Sequence, residues 1–182
     1  MGSCICKKLD KSFERCTSAF RFEDAVVSAL VYKLKHHGNE NVAELLSLHL
    51  VEKIRKEYSD IKFDFVTYVP ESSKDSRKKG YDHAHLIAKR LSDELSVSLV
   101  RPPIKRKGGK KQKYQDLETR KKNASKKYVG RSRPHLCGTV LLVDDVITSG
   151  NTLSVCADLL KTAGADRVYC ATCATSVKNK IT

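Results

Sequence analysis

Tryptophan is absent from the sequence, and aromatic residues make up only 7% of its 182 residues. Proteins that hold single-stranded nucleic acid by stacking present aromatic rings to the bases, so this scarcity argues against a base-stacking platform. No stretch approaches the roughly 18 apolar residues that a membrane-spanning helix needs, and no apolar secretory segment follows Met1. These absences predict a cytoplasmic protein without a membrane span.

Acidic residues are scarce between positions 101 and 133. This segment contains fourteen lysine and arginine residues but only Asp116 and Glu118, so fourteen minus two, or +12, of the formal net charge of +14 lies within it. A segment this basic has to face water or anions. We interpret residues 101–133 as a flexible basic segment; a solvated loop, a nucleic-acid contact and a polyphosphate contact all remain open.

The length accommodates one domain with a sizeable core and is short for two. Hydrophobic residues make up 40% of the chain, which is enough for a packed core despite the many charges. We predict an N-terminal tail over residues 1–19 and a single domain over residues 20–182, with the basic segment as part of that domain.

The seven cysteines are an odd number in a chain with no predicted export signal, which favours reduced thiols or metal ligands over a disulfide framework. Cys4, Cys6 and Cys16 lack an identifiable fourth ligand, so a zinc site is not predicted. An acylated N-terminus is an alternative, because residues 1–8, MGSCICKK, resemble a myristoylation site followed by cysteines that can be palmitoylated. Membrane attachment of this kind is not the favoured interpretation.

Apolar residues recur at helical or strand spacing along most of the chain. The helical spacing predicts helices over residues 22–35, 41–58, 82–95 and 153–163. Short apolar runs predict strands over residues 64–69, 97–100, 139–143 and 168–172, and residues 71–80 are predicted to form a polar loop. Because strands alternate with helices, we predict an α/β fold with a mostly parallel sheet flanked by helices.

Individual residues mark where several of these elements begin and end. Asp82 is a predicted helix N-cap, Gly164 is predicted to end the last helix, and Pro70 is predicted to end the first strand. Since alternate side chains of a strand diverge, Cys170 and Cys173 are predicted to lie one in the core and one on the surface.

Residues 140–152, VLLVDDVITSGNT, join a predicted buried strand to a helix through a short, hydroxyl-rich turn. The start of a helix carries unpaired backbone N–H groups and the positive end of the helix dipole, and both favour an anion. Threonine and serine hydroxyls add donors, and glycine lets the backbone approach a phosphate closely. We predict a phosphate site formed by Ile147, Thr148, Ser149, Gly150, Asn151 and Thr152.

Two acids, Asp144 and Asp145, precede this turn. Carboxylates repel a phosphate, so we expect them to address a sugar diol or a bound Mg²⁺ nearby. A sugar phosphate that carries Mg²⁺ satisfies the turn and the acids together. The alternative is an ordinary strand, turn and helix in which the acids cap the helix. A P-loop is excluded because the chain has no Gly-x-x-x-x-Gly-Lys-Ser/Thr motif.

The segment resembles, at every position, the phosphoribosyl pyrophosphate signature of type I phosphoribosyltransferases. The chain is also similar to the ComF family in two earlier stretches, LKHHG at residues 34–38 and VPESSKDSRKKGYDH at residues 69–83. The resemblance implies a type I phosphoribosyltransferase fold. It also implies that Asp144 and Asp145 lie beside the ribose hydroxyls as catalytic residues, and that the turn holds the 5′-phosphate.

The activity implied by the resemblance is displacement of pyrophosphate from Mg²⁺-bound phosphoribosyl pyrophosphate by a nucleobase or amine that the sequence does not identify. Both acids, Asp144 and Asp145, are then expected to bind the Mg²⁺, directly or through water. Pyrophosphate is expected to contact Ser73, Lys74 and Arg77. A hood is expected to close over the site through Lys110, Lys111, Arg120 and Asn123.

The sequence departs from the ComF pattern at several positions. His83 replaces the usual glutamine, and Lys79 replaces an arginine whose planar fork a lysine cannot reproduce. The family opens with a four-cysteine zinc finger, of which only Cys4 and Cys6 are matched, so the tail is interpreted as a remnant of that finger. The family's association with competence implies an alternative function, a non-catalytic DNA-uptake accessory that binds nucleic acid through the basic segment. A homodimer also remains open.

Overall fold

The computed structural model describes residues 12–107, 127–130 and 136–176. In chain order its elements are β1 (Cys16–Arg21), α1 (Ala25–His37), α2 (Glu40–Glu57), β2 (Phe65–Tyr68), α3 (Ser73–Lys79), α4 (His83–Leu95), β3 (Ser98–Leu99), β4 (Ile104–Arg106), β5 (Tyr128–Gly130), β6 (Gly138–Ile147), α5 (Asn151–Thr162) and β7 (Ala165–Thr175).

Five of these strands form one sheet in the order β1-β7-β6-β2-β3, and every neighbouring pair in it is parallel. The two remaining described strands, β4 and β5, form a separate antiparallel ribbon. Helices cover both faces of the sheet. The predicted α/β fold with a mostly parallel sheet is therefore confirmed.

The central strand β6 is buried on both of its faces. Leu141 and Val143 pack with α1, α2 and α4, whereas Val140 and Leu142 pack with α5. Because successive side chains of a strand point to opposite faces, a strand between two helical layers needs an unbroken apolar run. The apolar run at residues 139–143 predicted this placement correctly.

The first strand lies inside the segment that was predicted to be a tail. β1 pairs with β7, with Cys16 opposite Cys170, and Phe13 is only 5% exposed in the core. The predicted boundary at residue 20 is therefore wrong, since ordered core packing begins by Phe13. β1 is a short edge strand with a mixed sequence, CTSAFR, so it has no apolar run to mark it.

The predicted loop over residues 71–80 contains the helix α3. Ser72 caps it by accepting a hydrogen bond from the backbone N–H of Asp75, and Gly80 ends it at a φ of 81°. No residue of α3 is buried, so it has no apolar stripe from which to predict a helix. Its signal was the Ser72-x-x-Asp75 spacing, which resembles a capping box.

Apart from β4 and β5, which were not predicted, the remaining elements begin and end within four residues of their predicted positions, with β6 extending past residue 143 to Ile147. Asp82 caps α4 as predicted, because its Oδ1 accepts hydrogen bonds from the backbone N–H groups of Ala84 and His85. The prediction for Cys170 and Cys173 is wrong, since both are fully buried. β7 lies between β1 and β6, and both of its faces are covered.

Candidate functional site

The two carboxyl ends of β2 and β6 lie side by side, with Tyr68 opposite Val143. In open parallel sheets this edge is where ligands bind. A cavity of about 340 Å³ opens here, and we call it the acid cavity. Its lining residues include Lys35, Glu71, His83, Asp144 and Asp145. The structure thus brings the two predicted acids to a cavity at the expected edge of the sheet.

Asp145 is the buried member of the acid pair, with a side chain that is only 5% exposed. Its Oδ1 accepts a hydrogen bond from the backbone N–H of Val146 at 2.8 Å. Its Oδ2 lies 2.7 Å from Nζ of Lys35, in an ion pair rather than a well-aligned hydrogen bond. Burial by itself lowers the pKa of Lys35, but the carboxylates of Asp145, Asp144 and Glu71 outweigh it and raise that pKa. Lys35 therefore stays charged and neutralises Asp145.

Asp144 keeps partial exposure to the acid cavity. Its Oδ1 accepts a hydrogen bond from the backbone N–H of Asp145 at 2.9 Å. Burial of the carboxyl group, together with the neighbouring Asp145 charge, raises the pKa of Asp144 well above its ordinary value. The two acids consequently differ: Asp145 is held by a lysine, and Asp144 is the one that is left to meet a ligand.

His83 lies between two carboxylates. Its Nε2 is 3.7 Å from Oδ2 of Asp145, and its Nδ1 is 3.9 Å from Oε2 of Glu71. The other oxygen of Glu71 lies 2.6 Å from Nζ of Lys79. Basic and acidic side chains therefore alternate around the wall. His83, Asp144 and Asp145 each place a ligand atom within 4.8 Å of the others, a grouping of donors that could hold a metal ion.

Lys35 reaches the site because the end of α1 is fixed. The hydroxyl of Tyr81 donates a hydrogen bond to the backbone carbonyl of Lys35 at 3.1 Å. The ring of Tyr81 lies against Gly38, where an added Cβ would come within 2.5 Å of Cδ1. Gly38 also has a φ of 59°, a conformation that favours glycine. The LKHHG and GYDH stretches therefore contact each other at the site.

The predicted phosphate turn, residues 147–152, lies directly after the acid pair and at the start of α5. Gly150 is the N-cap at a φ of 71° and has no side chain that could cap α5, while the backbone N–H of Asn151 donates to Oγ of Ser149 at 3.5 Å. The start of the helix still presents the positive end of its dipole to an anion. The turn and Asp144 line a small cavity of about 40 Å³. Thr148 and Thr152 also line the acid cavity. The six predicted phosphate residues are thus brought together beside Asp144.

The predicted pyrophosphate residues lie in a different place. Ser73 and Arg77 line a second cavity of about 620 Å³, which we call the basic cavity. It shares Pro70 and Glu71 with the acid cavity, so the two are neighbours. Lys74 is an exposed residue of α3 and lines neither cavity. The structure therefore does not gather these three residues around the acid pair.

Most of the basic segment, including Lys110, Lys111, Arg120 and Asn123, lies outside the described residues. The hood, the nucleic-acid contact of the basic segment and the homodimer therefore stay predictions. The part that is described forms the β4–β5 ribbon, in which Arg106 pairs with Tyr128. Both of these residues line the acid cavity.

Sequence reasoning did not assign Lys35, His83, Arg106 or Tyr128 to the site. For Lys35 and His83 a signal existed, because both fall in the stretches that resemble the ComF family. Tyr128 keeps the spacing of the hood motif in that family, whereas Arg106 carried no comparable signal, since only the strand pairing of the ribbon brings it to the site. Among the described helices, none combines the length and apolar character needed to cross a membrane.

Comparison with solved structures finds phosphoribosyltransferases. A purine phosphoribosyltransferase from Pyrococcus horikoshii is 23% identical, with a TM-score of 0.44 over 72% of this chain and 70% of that one. An orotate phosphoribosyltransferase from Aeropyrum pernix is 16% identical, with a TM-score of 0.44 over 77% and 75% of the two chains. UMP synthase from Leishmania donovani is 19% identical, with a TM-score of 0.44 over 78% of this chain, which spans only 24% of that protein.

Family models give one match. The phosphoribosyl transferase domain matches residues 77–181, which is more than half of the chain and contains the acid pair, the turn and α5. Among the curated proteins compared with the chain, none matches it.

Proposed function

The chain belongs to the phosphoribosyl transferase domain family, and on that premise we propose that it binds phosphoribosyl pyrophosphate and transfers its phosphoribosyl group to a nucleobase or amine. In this reaction the bond from C1 to the pyrophosphate oxygen breaks, and its electron pair leaves with pyrophosphate. The lone pair of the acceptor nitrogen forms the new bond to C1, and the acceptor releases a proton. The proposal rests on the turn at the start of α5, which lies beside one buried acid paired with a lysine and one acid that faces the acid cavity.

The turn supports the first task, which is to hold the 5′-phosphate. The N-terminus of α5, which no side chain of Gly150 caps, supplies backbone N–H donors and a positive dipole end. The small cavity of about 40 Å³ at the turn exceeds the ~10–15 Å³ that a single water requires. Thr148 is exposed, so its hydroxyl is free to reach a phosphate oxygen.

Asp144 supports the second task, which is to orient the ribose. As the acid that faces the cavity, it is placed to accept hydrogen bonds from ribose hydroxyls. Asp145 is withdrawn from this role by its ion pair with Lys35, and it instead holds the strand end and the lysine together. The high pKa of Asp144 favours a ligand that brings hydroxyl donors or positive charge to that carboxyl group.

Mg²⁺ fits the acid cavity as a companion of the substrate. Carboxylate oxygens are ligands that Mg²⁺ prefers, and Mg²⁺ usually keeps several waters and substrate phosphates. Asp144 offers an oxygen to the cavity, whereas Oδ2 of Asp145 already faces an ammonium at 2.7 Å. The donor set therefore supports Mg²⁺ that arrives with pyrophosphate and meets Asp144, directly or through water. Bound there, it would neutralise the charge of the leaving group.

Pyrophosphate is proposed to lie toward the wall that the two cavities share. Glu71 and Pro70 form that wall, and beyond it lie Ser73 and Arg77. Arg77 is exposed and long enough to reorient toward a polyanion. Arg106 supplies a further cation on the acid-cavity side.

Within the domain family, we infer membership of the ComF family. The support is that the residues of its two resemblance stretches meet at the acid pair. Lys35 pairs with Asp145, Tyr81 packs on Gly38, and His83 lies beside Asp145. Residues that are far apart in the sequence thus share one site, as expected of a motif that serves one function.

The transfer reaction is tested by a pyrophosphate-release screen with Mg²⁺ and phosphoribosyl pyrophosphate over nucleobases and small amines. We expect release with at least one acceptor and a loss of tenfold or more in Thr148→Ala. Thr162→Ala is the matched control, because it removes the same hydroxyl at the other end of α5. Release that is equal in both variants would show that the turn does not serve the reaction.

A further inference from the structure

The basic cavity is the larger of the two neighbouring cavities, at about 620 Å³. It lies between α3, the start of α4 and the chain that leads into β4. Ligand sites for small molecules commonly have volumes of about 300–1,000 Å³, so a ligand of nucleotide size fits it. Neither the phosphate turn nor the acid pair contributes to its lining. The cavity is therefore distinct from the turn and the acid pair, although its wall includes Ser73 and Arg77, which the proposed function assigns to pyrophosphate.

Unpaired positive charge lines this cavity. Arg101 and Lys105 are exposed residues of its wall, and neither forms an ion pair with any residue that the structure describes. Arg77 adds a third cation, with its Nε donating to the carbonyl of Ser73. A concave surface with several free cations concentrates anions.

The acids of the same wall are already engaged. Glu71 is held by Lys79 at 2.6 Å. Asp82 accepts the backbone N–H of Glu71 through Oδ2 at 2.9 Å and caps α4 through Oδ1. Neither carboxylate is available to neutralise Arg101 or Lys105. Arg101 and Lys105 are therefore left to meet an anion from solution, and phosphate oxygens suit both arginine and lysine.

Aromatic rings form another part of the wall. Tyr68 and His85 lie with ring centroids 5.0 Å apart and tilted by 55°, and both line the cavity. Ring faces of this kind stack with a nucleobase. The cavity therefore offers two aromatic rings and a set of cations on one concave wall.

We propose that the basic cavity binds a nucleoside phosphate, with its phosphate on Arg101 and Lys105 and its base against Tyr68 and His85. The site does not depend on binding of phosphoribosyl pyrophosphate at the turn. Arg77, which the proposed function assigns to pyrophosphate, is not required. Free nucleotides and the 5′-phosphorylated end of an oligonucleotide share this chemistry.

The test is a calorimetric titration with adenosine 5′-monophosphate. We expect binding by the unaltered chain and at least tenfold weaker binding by Arg101→Gln/Lys105→Gln. The control Lys56→Gln/Lys89→Gln removes the same charge from exposed positions of α2 and α4 outside the cavity, and it should bind like the unaltered chain. His85→Leu should weaken binding several-fold, and adenosine, which lacks the phosphate, should bind much more weakly.

Two further arms separate this site from the turn and identify the source of the ligand. Thr148→Ala should leave the affinity for adenosine monophosphate unchanged, whereas Arg101→Gln/Lys105→Gln should leave binding of phosphoribosyl pyrophosphate unchanged. Titration of a short oligonucleotide with and without a 5′-phosphate shows whether the cavity takes the phosphorylated end of a strand or only a free nucleotide. Either result supports the site. No binding at about 1 mM nucleotide, binding that survives in Arg101→Gln/Lys105→Gln, or binding that is lost in Thr148→Ala would overturn the proposal.

Discussion

Nζ of Lys35 lies 2.7 Å from Oδ2 of Asp145, and this ion pair joins α1 to the end of the central strand β6. It assigns different roles to two adjacent acids. Asp145 is buried and neutralised, whereas Asp144 faces the acid cavity with a raised pKa. The pair thereby positions the side chain that is proposed to meet the ribose.

Replacing Lys35 with methionine should destabilise the fold. The change leaves the Asp145 carboxylate without its cation, which costs about 3–5 kcal/mol for a fully buried pair. Since the Lys35 side chain is 38% exposed, solvent screening reduces this, and we expect about 1–3 kcal/mol by urea unfolding. Lys33→Met, at an exposed position on the same helix, should have little effect. Lys35→Met/Asp145→Asn should recover most of the loss, and no recovery would contradict the pairing.

Asp144→Asn should stabilise the protein in a pH-dependent way. The folded-state pKa of Asp144 is raised, so the folded chain holds this proton more tightly than the unfolded chain. Stability from this group is therefore full below the unfolded pKa of about 4 and falls as pH rises through the folded pKa. The variant, which has no charge to bury, should show no advantage below about pH 4 and a gain in stability that grows as the pH rises to neutral. Unfolding curves of both proteins across this pH range test the prediction. A gain in stability that is constant with pH would rule out the raised pKa of Asp144 as the cause of that gain.

Gly38→Ala should be more damaging than Gly80→Ala. Both glycines have positive φ values, 59° and 81°, so each alanine costs about 1 kcal/mol of backbone strain. At Gly38 the added Cβ also meets the Tyr81 ring at 2.5 Å, whereas at Gly80 nothing lies within 4 Å. Thermal unfolding should therefore show a larger loss for Gly38→Ala, together with weaker binding of phosphoribosyl pyrophosphate as Lys35 shifts. Equal losses would mean that the Tyr81 contact is unimportant.

What the sequence could predict depended on whether the signal was local. The strand, the two acids, the turn and the helix of residues 138–162 follow one another in the chain. The apolar run of the strand, the residue types of the turn and the start of the helix could therefore be interpreted together. α3 was missed because it buries no residue, and β1 because it is a short edge strand. Cys170 and Cys173 were misplaced because the position of β7 between two strands determines which of its faces are covered, and spacing does not reveal that position.

The basic side chains around the acid pair could not be predicted from the spacing of residues in the sequence. Lys35 and His83 lie on helices far from Asp145 in the sequence, and only the packing of α1 and α4 on the sheet brings them to it. Arg106 reaches the acid cavity through a ribbon whose second strand follows a long intervening segment. The sequence therefore indicated the acids and the turn of the candidate site, and the structure added the basic side chains that surround them.

The most direct test of the central claim is a calorimetric titration of the unaltered chain and Thr148→Ala with phosphoribosyl pyrophosphate and Mg²⁺. The account predicts binding by the unaltered chain and at least tenfold weaker binding by the variant, with the fold intact by circular dichroism. Equal affinity in the two proteins would contradict it, because the phosphate would then not be held by the turn at the start of α5.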